Sequence, residues 1–212
     1  DIKLAELIGL LHDIGRFEQL KQYNTFVDRN SINHGEFGVH VLFNKKDGII
    51  RNFIDDKQYD EIIKKSIFNH NKDAVDIPDD LTPRELLHTK IIRDSDKIDI
   101  LNLLTFEKKE TAWEKSDLSD DIISDEIYKE FMEQNRINYG VRKSSADILV
   151  SHLAFVFDFN FPESLKLVKE RNYFEKIYNR FEFNNKDTME KYKNIYKKLV
   201  EHIDNVLENG SI

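Results

Sequence analysis

A chain of 212 residues with 40% hydrophobic and 11% aromatic side chains can bury a core of ordinary size, and a net charge of −8 argues against a protein that coats nucleic acid with its whole surface. It has no cysteine, which excludes disulfides, thiolate nucleophiles, thiolate zinc sites and iron–sulfur clusters and leaves His, Asp, Glu and water to hold any metal. No segment approaches the ~20 apolar residues of a membrane span and no signal peptide is visible, so a cytoplasmic protein is the expectation.

Seven Gly and three Pro are few turn markers for this length, which favours helices joined by polar loops. The first helix is expected over about 3–14, with Ala5, Leu7, Ile8 and Leu11 inward and Gly15 ending or bending it. Residues 21–32 have no period and read as a loop. Asn33 with Glu36 three residues on resembles a capping box, placing His34 in the first turn of a helix that reaches about Asn44. A helix over 58–70 puts Ile63, Ile67 and His70 on one face. After a loop around Pro78, Thr82-Pro83-Arg84-Glu85 is a strong helix start, and that helix runs to about Leu104. Residues 106–126, with the single Trp113, read as a loop or lid. Helices follow at about 122–136, 146–157 (the most apolar stretch), 163–181 and 187–208. The last carries Met189, Tyr192, Tyr196, Leu199, Ile203 and Val206 at three- and four-residue steps, a stripe for packing or for a homodimer face. The expectation is all-α and one domain: a core over 1–105, the 106–126 loop, and helices over 127–212 packed on that core.

Four short segments carry the chemistry: Leu10-Leu11-His12-Asp13-Ile14-Gly15, Asn33-His34-Gly35-Glu36, Asn69-His70-Asn71 and Arg93-Asp94-Ser95-Asp96-Lys97. A His-Asp pair alone is weak, since about 0.7 such pairs arise by chance at this composition. The signal is the apolar helix around it and the later imidazoles and carboxylates in order. Together they suit one or two divalent cations that acidify a shared water and neutralise phosphate oxygens. Helical period does not choose between Asp94, on the face of Leu87, Ile91 and Ile98, and Asp96, on the face of Ile92, Ile100 and Leu103.

The order His-Asp, His, His, Asp resembles the HD superfamily of metal-dependent phosphohydrolases. Leu-Leu-His-Asp-Ile-Gly is similar to its core motif and Ile-Arg-Asp-Ser-Asp-Lys-Ile-Asp to its distal Asp segment, over about residues 3–104. The resemblance implies an HD-domain helical bundle with additional C-terminal helices, a site between helices, and a metal-bound hydroxide attacking phosphorus. It implies His12, Asp13, His34, His70 and Asp96 as metal ligands, with Asp13 bridging and Asp96 preferred over Asp94. Arg16 and Lys97 would steady a phosphate, each with a surface salt bridge as the plain alternative. Mn, Fe, Zn, Mg and Ni are not distinguished. The substrate would be a small phosphomonoester or phosphodiester, a nucleotide among the candidates, with no membrane or extended nucleic acid as partner.

The family's first ligand is a His on an earlier helix, whereas only eleven residues precede His12 here and none is His. A chain that begins after that helix is the expectation; His152 in its place, or a weakly held first metal, are the alternatives. The acidic pair of alarmone hydrolases and the Gly-Tyr-Pro signature of cyclic-dinucleotide phosphodiesterases are absent. The rival functions are an HD-type diiron oxygenase on the same scaffold and a ligand-sensing or interaction domain whose site has decayed.

Overall fold

The computed structural model describes residues 1–72, 76–108, 117–134, 137 and 139–210, with the backbone alone at 139. The described residues form α-helices and short 3-10 turns with no strand, an all-α fold. None of their helices is long and apolar enough to cross a membrane. Two compact units divide the chain at Asp96–Lys97.

The first unit contains α1 (Ile2–Leu11), α2 (Ile14–Tyr23), α3 (His34–Phe43), α4 (Asp60–Asn69) and the beginning of α5 (Pro83–Phe106). Its core is aliphatic: Leu4, Ile8 and Leu11 from α1, Leu42 from α3, Ile63 and Ile67 from α4 and Ile92 from α5. Each such side chain, once out of water, contributes roughly 1.5–3 kcal/mol. α2 packs on α3, and α3 and α1 pack on α4. The expected capping signals are real. Asn33 Oδ1 accepts from the Glu36 N–H at 3.0 Å. At the start of α5, the Glu85 carboxylate accepts from the Thr82 N–H at 2.8 Å while Thr82 Oγ1 accepts from the Glu85 N–H at 3.4 Å, the two halves of a capping box.

The single helix expected over 3–14 is instead two. α1 stops at Leu11, His12 and Asp13 turn the chain, and α2 restarts at Ile14 and reaches Tyr23, into the expected loop. Gly15 therefore does not end a helix. It lies buried in the first turn of α2, where a Cβ would stand 2.2 Å from the His34 carbonyl oxygen and 2.6 Å from the Gly38 nitrogen. Helix α2 ends instead at Asn24 in the left-handed region (φ 51°), which Asn tolerates better than most residues.

The second unit holds the rest of α5, then α6 (Asp125–Met132), α7 (Ser145–Leu153) with a 3-10 continuation to Phe157, α8 (Pro162–Glu170), α9 (Tyr173–Tyr178) and α10 (Lys186–Asn209). The expected apolar helix over 146–157 contributes Leu149, Val150, Leu153 and Val156 to its core. α10 packs against α8, α6 and the 154–157 turn. The helix expected over 163–181 breaks at Arg171–Asn172, with Asn172 left-handed (φ 53°). Of the expected loop or lid, residues 109–116, including Trp113, lie outside the described residues. Its later part, 117–124, is irregular and pinned by Leu118 and Ile123, both in the core.

Candidate metal centre

Helix ends supply the site. His12 is the C-cap of α1 and His70 the C-cap of α4, and the last carbonyls of a helix have no partner within it. Each imidazole answers its own helix: His12 Nδ1 donates to the Gly9 carbonyl at 2.8 Å, and His70 Nδ1 to the Ile67 carbonyl at 2.7 Å. A carbonyl only accepts, so both rings carry their proton on Nδ1 and turn Nε2 away from the helix. His34, the first residue of α3, donates Nδ1 to Asp28 Oδ2 at 2.7 Å.

The three Nε2 atoms face one region. His34 Nε2 and His70 Nε2 are 3.0 Å apart, and the His12 and His70 rings meet edge to face with centroids 5.1 Å apart. Asp13, the N-cap of α2, makes no capping bond and sends its carboxylate into this region. Its Oδ1 lies 3.3 Å from His34 Nε2 and 3.9 Å from His70 Nε2, while its Oδ2 lies 3.8 Å from His12 Nε2. Asp96 Oδ1 completes the group 3.6 Å from His12 Nε2. Among the described residues, His12, Asp13 and His70 bring their ligand atoms within 4.8 Å of one another. The two imidazoles of His34 and His70 are buried, and Asp13, 43% exposed, marks the open side.

The electrostatics follow from this crowding. Burial opposes charge on His12, but the carboxylates of Asp96 and Asp13 and the Gly9 carbonyl outweigh it and raise its pKa above the ordinary value. Burial drives His70 down to about 4, only partly offset by Asp96. Burial also works against ionised Asp96, yet the hydrogen bond with His12 helps hold it below the usual carboxylate value.

The donor set fits a divalent cation. Two nitrogens each about 2.1 Å from one cation at right angles lie about 3 Å apart, the separation seen between His34 and His70. With both Nδ1 protons directed outward, their Nε2 lone pairs point at one another, an arrangement that a cation between them relieves.

The other expected residues fall differently. Arg16 lies at the edge: Nε donates to Asp13 Oδ1 at 3.1 Å and Nη1 to the Phe26 carbonyl at 3.0 Å. Lys97 opens the second unit, where it is buried and its ammonium pairs with Asp158 at 3.0 Å. Asp94 is buried, but it is Asp96 that stands beside His12. His152 lies on α7 in the second unit, edge to face with Phe155. Two supporting groups were not foreseen. Asp28, in the aperiodic loop, holds His34. Arg93, buried on α5, donates Nη1 to the carbonyls of Asn69, His70 and Lys72 and so closes the end of α4. A carboxylate six residues before an imidazole is no recognisable motif, and an Arg beside two Asp reads as a solvated ion pair.

No protein-family model, no curated protein and no solved structure matches this chain significantly.

Proposed function

We propose that the chain is a metal-dependent phosphohydrolase acting on a small phosphorylated substrate, a nucleotide among the candidates. The observation that carries this reading is the convergence of three imidazole Nε2 atoms and two carboxylates with the Nδ1 protons committed elsewhere. His34 and His70 would hold one cation and His12 and Asp96 a second, with Asp13 between them. Bound there, divalent cations lower the pKa of water and neutralise the oxygens of a phosphate. The protein's own share is positional: helix ends aim the imidazoles, and Arg16 fixes Asp13 and brings positive charge to the open edge. Imidazole and carboxylate donors without sulfur suit Mn, Fe, Ni and Zn alike.

The test is elemental analysis of the purified protein with phosphate release from p-nitrophenyl phosphate and its diester, in wild type, His34→Ala and Asp13→Ala. Bound metal and metal-dependent release in wild type, both lost on substitution, support the reading. Two irons with oxygen-dependent chemistry and no release replace it with an oxygenase. No bound metal under any condition overturns it.

A further inference from the structure

The three imidazoles of the centre need the same thing, a fixed proton on Nδ1, and obtain it in two ways. His12 and His70 end helices and use a carbonyl three residues back, which the helix leaves unpartnered. His34 begins a helix. A helix N-terminus offers unpartnered N–H groups and no free carbonyl, so an acceptor must come from elsewhere. Asp28 is that acceptor. Its Oδ2 takes His34 Nδ1–H at 2.7 Å and the His34 backbone N–H at 3.2 Å.

The carboxylate is itself held. Gln19, fully buried on α2, donates Nε2 to Asp28 Oδ1 at 2.9 Å while also reaching Ser31 Oγ and the Ile32 carbonyl. Asn71, next to His70, donates Nδ2 to Asp28 Oδ2 at 3.1 Å and to Asn33 Oδ1 at 3.2 Å. Side chains from α2 and from the segment after α4 thus converge on one loop carboxylate whose nearest contact is an imidazole of the centre.

We infer that Asp28 is a positioning residue of the metal centre: held by Gln19 and Asn71, it locks His34 in the Nδ1–H tautomer and so makes Nε2 the ligand atom. The metal-binding half of this inference rests on the function proposed above; the tautomer half stands without it. Outer carboxylates of this kind typically change metal affinity 10–100-fold when removed.

The experiment reads the two halves separately on the full chain. Nitrogen-15 NMR of the imidazoles in metal-free protein reports the tautomer, and cobalt(II) titration followed by visible absorbance reports affinity, in wild type, Asp28→Ala, Asp28→Asn and Gln19→Leu. In Asp28→Ala the His34 ring is expected to lose its Nδ1–H preference while His12 and His70 keep theirs, with cobalt affinity down 10–100-fold and helical circular dichroism unchanged. Asp28→Asn, which keeps an acceptor oxygen without the charge, should lie between. Should Asp28→Ala not fold, the same ordering is read from Asp28→Asn and Gln19→Leu. An unchanged His34 tautomer in the folded variants overturns the positioning role. A lost tautomer with unchanged cobalt affinity overturns its bearing on the metal. A wild-type chain that binds no cobalt while Asp28→Ala still shifts the tautomer defeats the metal reading and leaves the imidazole lock standing.

Discussion

Two aspartates on one helix show what a residue's surroundings decide and its type does not. Asp94 and Asp96 are both plausible ligands by composition, and they point to different sides of α5, which buries polar groups on more than one side: Glu85, His88, Arg93, Asp94 and Lys97. With no single apolar face, period carries no information about which carboxylate meets His12. Their substitution should separate them. Asp96→Asn is expected to weaken Mn or Co binding by about tenfold or more, whereas Asp94→Asn should leave it within about threefold and lower stability instead, by about 1–3 kcal/mol for a disturbed buried polar group. Metal titration and urea denaturation of the two variants check this. The imidazoles were legible because each sits in a short segment on or beside an apolar helical pattern, in the order His-Asp, His, His, Asp. Asp28, Gln19 and Asn71 were not, because nothing local marks a loop carboxylate as the acceptor for a ring six residues on, or for amides nine residues before it and forty-three after it.

At the level of elements, starts were easier to read than restarts. Asn33 and Thr82 announce α3 and α5 with side chains that satisfy their own first turns. The restart of α2 after His12–Asp13 carries no such signal, since Asp13 spends its carboxylate on the site instead of capping. The break before α9 rests on the backbone of one Asn, and an otherwise helical composition hides it. Replacing Asn33 with Ala should cost about 0.5–2 kcal/mol of stability through the lost cap, and it also removes an acceptor of Asn71. Asn172→Ala should cost about 1–2 kcal/mol, as a Cβ-bearing residue without Asn's local hydrogen bonding pays to stay left-handed, while Asn172→Gly should be close to neutral. Chemical denaturation of the three variants gives both comparisons.

On the scale of the whole molecule, the all-α class followed from the pattern, but the division at Asp96–Lys97 did not, because it falls inside one uninterrupted helix. All five candidate ligands lie in the first unit. Metal at about one hundred times its dissociation constant should therefore stabilise that unit by about 2.7 kcal/mol. Amide hydrogen exchange should slow in α1, α3 and α4 and stay unchanged in α7. Acid acts on the second unit as well. Burial, with the nearby Arg142, depresses His152 to about 4 in the folded chain. Above pH 6.5 the ring is neutral folded or unfolded, so it favours neither state. Between about 6.5 and 4 only the unfolded chain takes the proton, and stability falls by an amount on the order of 1–3 kcal/mol before levelling off. His152→Phe should flatten that part of a stability-against-pH curve measured by urea denaturation.

The close approach at Gly15 bears on how this chain can evolve. A Cβ at Gly15 would enter the backbone of α3, and one at Gly35 would come within 2.8 Å of the Ile67 carbonyl and 3.2 Å of the His70 ring. These positions lend no atom to chemistry, yet they set the spacing at which the imidazoles meet. Gly9, with nothing within 4 Å of its missing Cβ, is under no such constraint. A saturation-mutagenesis map scored on metal binding should therefore show Gly15 and Gly35 as intolerant as the ligands themselves and Gly9 as permissive. Natural variation could then retune the chemistry by exchanging side chains around the centre, while the distance between its helices stays closed to change.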